Sequence, residues 1–365
     1  MRILGLMSGT SCDGLDCIDI NLDVSKSYNL NFEINNFFTV PYSKADRSYL
    51  LSIRGKESCL VEDSDKVTRI FIDSINSFLN HSKSDYHMIA CHGHTVKHID
   101  KVVSIQLISP DILYHEYRVP IVYNFRELDI CEGGNGAPLM PFLDYLLFRD
   151  SNIDIITLNI GGISNISYIP SSGFRNKVLG FDTGPGMSLV DKASEVFFDS
   201  DVDLNGIYSK QGKIDSILLE ELMSIGYIVK DPPKSTDIDE FGYELINSIK
   251  LRYGELSGHD IVRTFVQFTI NSIELNINKF INSKNFKLIY SGGGTNHPII
   301  LEWLKKSSYD SKSISDYGID SSIKESMLIA SLGVAKLRNI PSNMPSVTGA
   351  KNNIVLGDIY GDSDI

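Results

Sequence analysis

The run Gly180-Phe181-Asp182-Thr183-Gly184-Pro185-Gly186 carries a carboxylate to the end of an apolar strand pattern. Gly-Pro-Gly then turns the chain away, leaving Asp182 facing open space. A carboxylate so placed can act as general base on a water or a hydroxyl. The competing reading is a cap for a helix that starts near Ser188.

Three glycine-rich turns each follow a strand pattern. Ser8-Gly9-Thr10-Ser11-Cys12-Asp13-Gly14 is the first. Its small residues let backbone N–H groups approach phosphate oxygens, and the Thr10 and Ser11 hydroxyls add donors. Asp13 is placed to hold Mg²⁺, a hard cation that prefers oxygen ligands; the alternative is a plain hairpin turn. The second is Asn159-Ile160-Gly161-Gly162-Ile163-Ser164-Asn165, between two strands. The third is Ser291-Gly292-Gly293-Gly294, where a flat base or ribose can lie on bare backbone. Neither GxxxxGK[ST] nor a GxGxxG in strand–helix context occurs. Phosphate turns in each half, plus a late triple glycine, suit a nucleotide cleft between duplicated domains.

Cys91-His92-Gly93-His94-Thr95-Val96-Lys97-His98 has three histidines but no partner carboxylate or CxxC pair, so hydrogen bonding to a polar substrate is a better reading than zinc. Arg126 can fork onto a carboxylate or make a surface ion pair. Glu325 opens the last helix, where it also suits the helix dipole.

These groups need two scaffolds. At 365 residues the chain exceeds one ordinary core. Hydrophobic residues at 42% and charged residues at 22% are globular usage. The formal charge of -12, without a basic stripe, argues against nucleic acid. No apolar run reaches the roughly 20 residues of a membrane span, and Met1–Gly5 lead straight into a strand rather than a signal peptide. Five scattered cysteines, among them Cys59, point to reduced thiols and the cytoplasm.

Strands are expected at Arg2–Met7, Leu15–Leu22, Asn31–Val40, His87–Cys91, Val102–Leu107 and Pro120–Tyr123, with an amphipathic helix through Val67 and Phe78 capped by Asp63 or Ser64. Pro138 is expected to start a helix running to Phe148. After Asp150 the plan restarts: strands at Asp154–Ile160, Asn165–Ile169, Lys177–Asp182 and Phe286–Tyr290, and helices at Ser188–Phe198, Ile214–Ile225, Ile261–Ile281 and Ser322–Leu337. The aspartate-rich segment Asp199–Gly212 reads as a mobile loop or a plain surface excursion. The expectation is an α/β protein of two lobes, 1–127 with 335–365, and 128–334.

Taken in order, the motifs resemble the anhydro-N-acetylmuramic acid kinase family. The matching stretches are GLMSGTSCDGLD (Gly5–Asp16), CHGHTVKH (Cys91–His98), GGNGAPLMP (Gly133–Pro141), LNIGGISNIS (Leu158–Ser167), GFDTGPG (Gly180–Gly186), PPKST (Pro232–Thr236), SGGGTNHP (Ser291–Pro298) and MPSVTGA (Met344–Ala350). They span almost the whole chain. The resemblance implies the two-domain actin/Hsp70/sugar-kinase fold with ATP in the interdomain cleft. It implies a kinase that opens the 1,6-anhydro ring of anhydro-N-acetylmuramic acid and phosphorylates oxygen 6 during cell-wall recycling.

The carried-over roles are Asp182 as base, Gly9, Thr10, Ser11, Cys12, Asp13, Gly14, Leu15 and Asp16 at the ATP phosphates, and Gly292, Gly293 and Gly294 at the adenosine. Gly161 and Gly162 join the ATP set. His94, Thr95, Arg126 and Glu325 are assigned to the sugar. ATP and Mg²⁺ are the implied cofactors, with Asp13 at the metal, and a homodimer is what the family suggests. The sequence departs from the family pattern at His94 (for Gln), Asn124 (for Asp), Met187 (for Asn) and Asp237-Ile238-Asp239 (for Gly-Arg-Glu). A kinase for another anhydro-sugar, and an idle nucleotide-binding regulator or actin-like module, stay open as alternatives.

Overall fold

The first forty residues build three consecutive antiparallel strands, the first of them, Arg2–Ser8, buried along most of its length. The computed structural model describes residues 1–56, 61–80, 85–236 and 240–362. Cys59 and Asp237-Ile238-Asp239 lie outside the described residues. The chain divides into two units, Met1–Leu147 with Ser322–Ile365, and Phe148–Ser321.

The first unit contains β1 (Arg2–Ser8), β2 (Gly14–Val24), β3 (Leu30–Pro41), β4 (Met88–Ile99), β5 (Val103–Leu107) and β6 (Ile121–Tyr123). The second contains β7 (Asp154–Ile160), β8 (Ile163–Ile169), β9 (Leu179–Pro185), β10 (Phe286–Ser291) and β11 (Asp310–Ser313), after which the chain returns to the first for β12 (Asp358–Tyr360). The first sheet runs β12-β6-β4-β1-β2-β3, with β5 on β4; the second runs β11-β10-β7-β8-β9. β1/β2 and β2/β3 are antiparallel while β1/β4 and β4/β6 are parallel. β7/β8 and β8/β9 repeat the antiparallel half, and β7/β10 and β10/β11 the parallel half. One strand order used twice is the duplicated α/β plan of the actin/Hsp70/sugar-kinase architecture, as the motif order implied.

Helix Val61–Leu79 buries Val67, Ile70, Phe71, Ile75 and Phe78, a stripe at helical spacing. It starts earlier than expected, so neither Asp63 nor Ser64 caps it; the Asp63 carboxylate instead accepts from the Tyr49 hydroxyl at 2.7 Å. The helix expected from Pro138 runs from Met140 to Phe148. The Tyr28 ring meets Phe142 and Tyr145 edge-on at 6.4 and 5.9 Å, which places that helix in the first unit. Helix Lys324–Leu337 packs on β1, β2 and β4. The crossings therefore fall near 147 and 322, where the sequence had suggested 127 and 335. Apolar periodicity identifies a helix but not the sheet it covers. Among the described residues no helix is long and apolar enough to cross a membrane.

Candidate active site

The turn joining β1 to β2 bends because Cys12 adopts a left-handed φ of 55° and donates its N–H to Gly9 O at 3.2 Å. Thr10, Ser11 and Asp13 are exposed, Gly9 and Asp16 half-buried. Cys12 and Leu15 are fully buried in the core beneath the turn. Their side chains thus support the turn from beneath. Asp13 pairs with Arg47 at 3.3 Å. Asp16 accepts from the Thr39 hydroxyl, and burial holds its pKa above the ordinary carboxylate value.

His94 lies under the same turn. Tyr42 donates its O–H to Ser8 Oγ at 2.9 Å, leaving the Ser8 proton for His94 Nδ1, 3.1 Å away. His94 Nε2 lies 3.8 Å from Cys12 Sγ, and the Cys12 thiol donates to Thr10 O. Burial, with Arg54 nearby, lowers the imidazole to about 4, so it is neutral at pH 7. The sequence reading placed His94 against the sugar; the structure turns its ring into the core, where it braces the hairpin.

Thr95, the next residue along β4, is half-buried and accepts from Gln106 Nε2 at 3.3 Å. Arg126 donates from Nε to His92 Nε2 at 3.0 Å and from Nη1 to Gly136 O at 2.9 Å. These bonds fix His92 as the Nδ1–H tautomer, which faces Gly93 O. Burial lowers Arg126 to about 10, against the opposing pull of Glu325 and Asp129. Glu325 stands in the first turn of helix Lys324–Leu337; desolvation and then Asp16 raise its pKa. Arg126, Glu325 and Asp16 thus influence one another within the first unit.

Asp129, which the sequence reading passed over, organises this corner. Fully buried, it accepts from Gly136 N at 2.9 Å, Thr348 Oγ1 at 2.9 Å and Asn343 Nδ2 at 3.2 Å. It ties the Gly133–Pro141 motif to the Met344–Ala350 motif. An aspartate just before a glycine-rich stretch is a weak sequence signal, because two of its three partners, Asn343 and Thr348, lie more than 200 residues away.

In the second unit the β7–β8 turn and the strand after Asp182 lock together. Gly186 N and Ser188 N donate to Gly162 O, and Met187 N to Gly161 O, at 2.8 to 3.1 Å. A Cβ on Gly186 would sit 2.1 Å from Gly161 O, so the approach requires glycine. Gly292 has φ 92°, and a Cβ there would meet Ile160 O at 2.5 Å. These turns border a cavity of about 340 Å³, whose walls include Gly161, Gly162, Gly293, Gly294, Met187 and Asp191.

Asp203, Leu204 and Asn205 supply another wall. They belong to the segment read as a mobile loop or surface excursion, a largely exposed stretch that forms two short turns, Leu204–Gly206 and Ser209–Gln211. Buried Asp203 holds them, accepting from Tyr208 N at 2.8 Å and Ser209 N at 3.2 Å, with His297 Nε2 at 3.1 Å. Asp191 is raised to about 7, by desolvation and then by Asp203.

Asp182 lies on β9, opposite Asn165 of β8. It does not cap the following helix: Met187 occupies the N-cap of Ser188–Phe198, with no side-chain cap bond. Its half-buried carboxylate accepts Thr236 N–H at Oδ2, 3.0 Å, and its backbone is held by Lys234 O at 3.3 Å and the Tyr227 hydroxyl at 3.1 Å. Within the second unit, then, Asp182, Gly161, Gly162 and Gly292–Gly294 flank a common set of strand ends. Gly9–Asp16, Thr95, Arg126 and Glu325 belong to the first.

Among the described residues no three His, Cys, Asp or Glu side chains gather as a metal cage. Magnesium needs only one or two carboxylates beside phosphate oxygens and water. Asp13 and Asp16, flanking a turn of small residues, fit that requirement.

The anhydro-N-acetylmuramic acid kinase family model matches residues 1–362. The enzyme of that name from Clostridioides difficile (strain 630) is 32% identical over 383 residues, covering 98% of each chain. The one from Bacillus thuringiensis subsp. konkukian is 32% identical over 378 residues, covering 98% of this chain and 99% of its own. Among solved structures, a ROK family glucokinase from Streptomyces griseus in complex with glucose and AMPPNP overlaps 90% of this chain and 98% of its own, at 11% identity and TM-score 0.40. A putative N-acetylmannosamine kinase from Listeria monocytogenes overlaps 90% of this chain and 97% of its own, at 12% identity and TM-score 0.36. Overlaps that loose carry no argument; the end-to-end family match does. The chain belongs to the anhydro-N-acetylmuramic acid kinase family, and its activity is that of a kinase.

Proposed function

We propose that the protein uses ATP to open 1,6-anhydro-N-acetylmuramic acid and phosphorylate oxygen 6, giving N-acetylmuramic acid 6-phosphate for cell-wall recycling. The observation that carries this reading is the Asp182 carboxylate on β9, which does not cap the following helix and accepts the Thr236 N–H at Oδ2. Asp182 takes a proton from a water attacking the anomeric carbon, as the base of an inverting glycosidase does. The bond from that carbon to oxygen 6 breaks, oxygen 6 attacks the γ-phosphorus, and ADP leaves.

The exposed Thr10 and Ser11 hydroxyls and the turn's backbone donors meet the phosphates. The glycine-lined cavity of the second unit takes the adenosine. Asp13 and Asp16 would hold a magnesium ion, which neutralises phosphate charge when bound. Arg126, already engaged at Nε and Nη1, presents its remaining nitrogen to the lactyl carboxylate. Glu325, kept more readily protonated by burial and Asp16, donates to a sugar oxygen.

Three of the four departures from the family pattern are compatible with this substrate. His94 is buried, and Asn124 is occupied with Glu127 and with Asp358 at 2.7 Å. Met187 lines the nucleotide cavity rather than the sugar residues.

The test is incubation with ATP, Mg²⁺ and anhydro-N-acetylmuramic acid, following the sugar 6-phosphate by mass spectrometry, with Asp182→Asn beside the native protein. Product from native protein alone supports the proposal. Turnover only of a simpler anhydro-sugar would transfer it to that substrate. ATP binding without any sugar phosphorylation would leave a regulator.

A further inference from the structure

The Pro232–Thr236 motif places a lysine where lysines are rarely found. Lys234 is 3% exposed. Its ammonium donates to Tyr227 O at 3.2 Å and Ile228 O at 3.1 Å, carbonyls of the short helix Gly226–Val229. The rings of Tyr227, Phe280 and Phe181 surround it at 5.0, 5.5 and 5.7 Å. Burying an ammonium is costly, and here two carbonyls and three aromatic faces offset that cost.

The same segment reaches Asp182 through the backbone. Lys234 O accepts the Asp182 N–H, and two residues on, Thr236 N–H holds Asp182 Oδ2. From the other side, the Tyr227 hydroxyl donates to Asp182 O, while the Tyr227 carbonyl anchors the lysine. The lysine therefore ties together the two pieces of chain that grip this aspartate. Lys279, Lys230, Asp231 and Asp182 are the charged groups that act on it.

We propose that Lys234 is a positioning residue for the reaction: it pins the Pro232–Thr236 segment to helix Gly226–Val229, so that Thr236 N–H stays aimed at Asp182 Oδ2 and keeps that carboxylate ionised and oriented. This rests on Asp182 being the base. A backbone N–H on a carboxylate favours the charged form, so loss of the pin raises the pH at which the base titrates.

The experiment measures kcat and kcat/KM against pH for native protein, Lys234→Met, Lys234→Gln and Thr236→Pro, with near-ultraviolet circular dichroism to establish native packing. Thr236→Pro removes the N–H directly. Expected for each is an acid limb displaced upward by about one pH unit, hence a kcat about tenfold lower at pH values below the native limb and little changed above both limbs, with an unchanged KM for ATP. A packing role alone would lower the yield of folded protein without moving the limb. Native acid limbs in the folded Lys234 variants overturn the inference. So does a native limb in Thr236→Pro, which decides the matter should both lysine variants fail to fold. Asp182→Asn separates the two levels: if it stays active, the base assignment itself has failed; if it is inactive while the limbs stay put, only the role of Lys234 has.

Discussion

Thr236 donates its backbone N–H to Asp182 Oδ2 at 3.0 Å, joining residues 54 positions apart. The bond fixes the orientation of the carboxylate and favours its charged form. A general base needs both a fixed orientation and the ionised form.

Asp182→Asn keeps the size of the side chain and removes its basicity. A fall in kcat of about 10²–10⁴-fold is expected, the range for general-base loss. The KM for ATP should hold, since the cavity walls do not include this residue. Steady-state kinetics at saturating sugar provide the check; a fall in ATP affinity with kcat intact would sink the assignment.

Acid sensitivity should centre on the buried imidazoles. His92 and His94 are lowered to about 3 and about 4, chiefly by burial. An unfolded histidine titrates near 6.5, so below that pH the unfolded chain binds more protons than the folded one. Their contribution to stability is complete above about pH 6.5 and is lost as pH falls towards 4. Thermal melts from pH 7.5 to 4.5 should show a steep decline in the native protein and a shallower one in His94→Gln. Equal slopes would remove His94 from the account.

Nucleotide affinity should weaken as pH rises through about 7. Asp191 on the cavity wall is raised to about 7, so its ionisation there adds negative charge facing an anionic ligand. Calorimetric titration with ADP from pH 6 to 8.5 should show this decline, and Asp191→Asn should abolish it. A decline that persists in the variant would assign it elsewhere.

The two glycines of the locked turn should respond oppositely to alanine. At Gly161 a Cβ would find its nearest atom 3.7 Å away, ordinary contact. At Gly186 it would strike Gly161 O at 2.1 Å, and backbone cannot move aside as a side chain can. Gly161→Ala should melt near the native temperature. Gly186→Ala should be destabilised by about 1–3 kcal/mol or more, read from urea denaturation.

Much of the site was legible from local chemistry. Strand followed by small-residue turn is a pattern of neighbours, so the β1–β2 turn, the Gly161-Gly162 turn and the strand bearing Asp182 could be placed directly. Helix Ser188–Phe198 was bounded correctly for the same reason. The cavity wall from Asp203 was not legible, because an aspartate-rich stretch looks solvated until His297, 94 residues later, is known to face it.

The sequence by itself determined the residue types that can do chemistry, the strand-and-turn units that carry them and, through eight ordered motifs, the family. Only the tertiary structure decided which of those residues are available. Local pattern places His94 on a strand and Cys12 in a turn, but the direction of those side chains and the partners of Asp129 and Lys234 are set by packing. Burial then makes His94 a neutral brace and Lys234 an anchor, because a polar group removed from water must find its hydrogen bonds inside the protein.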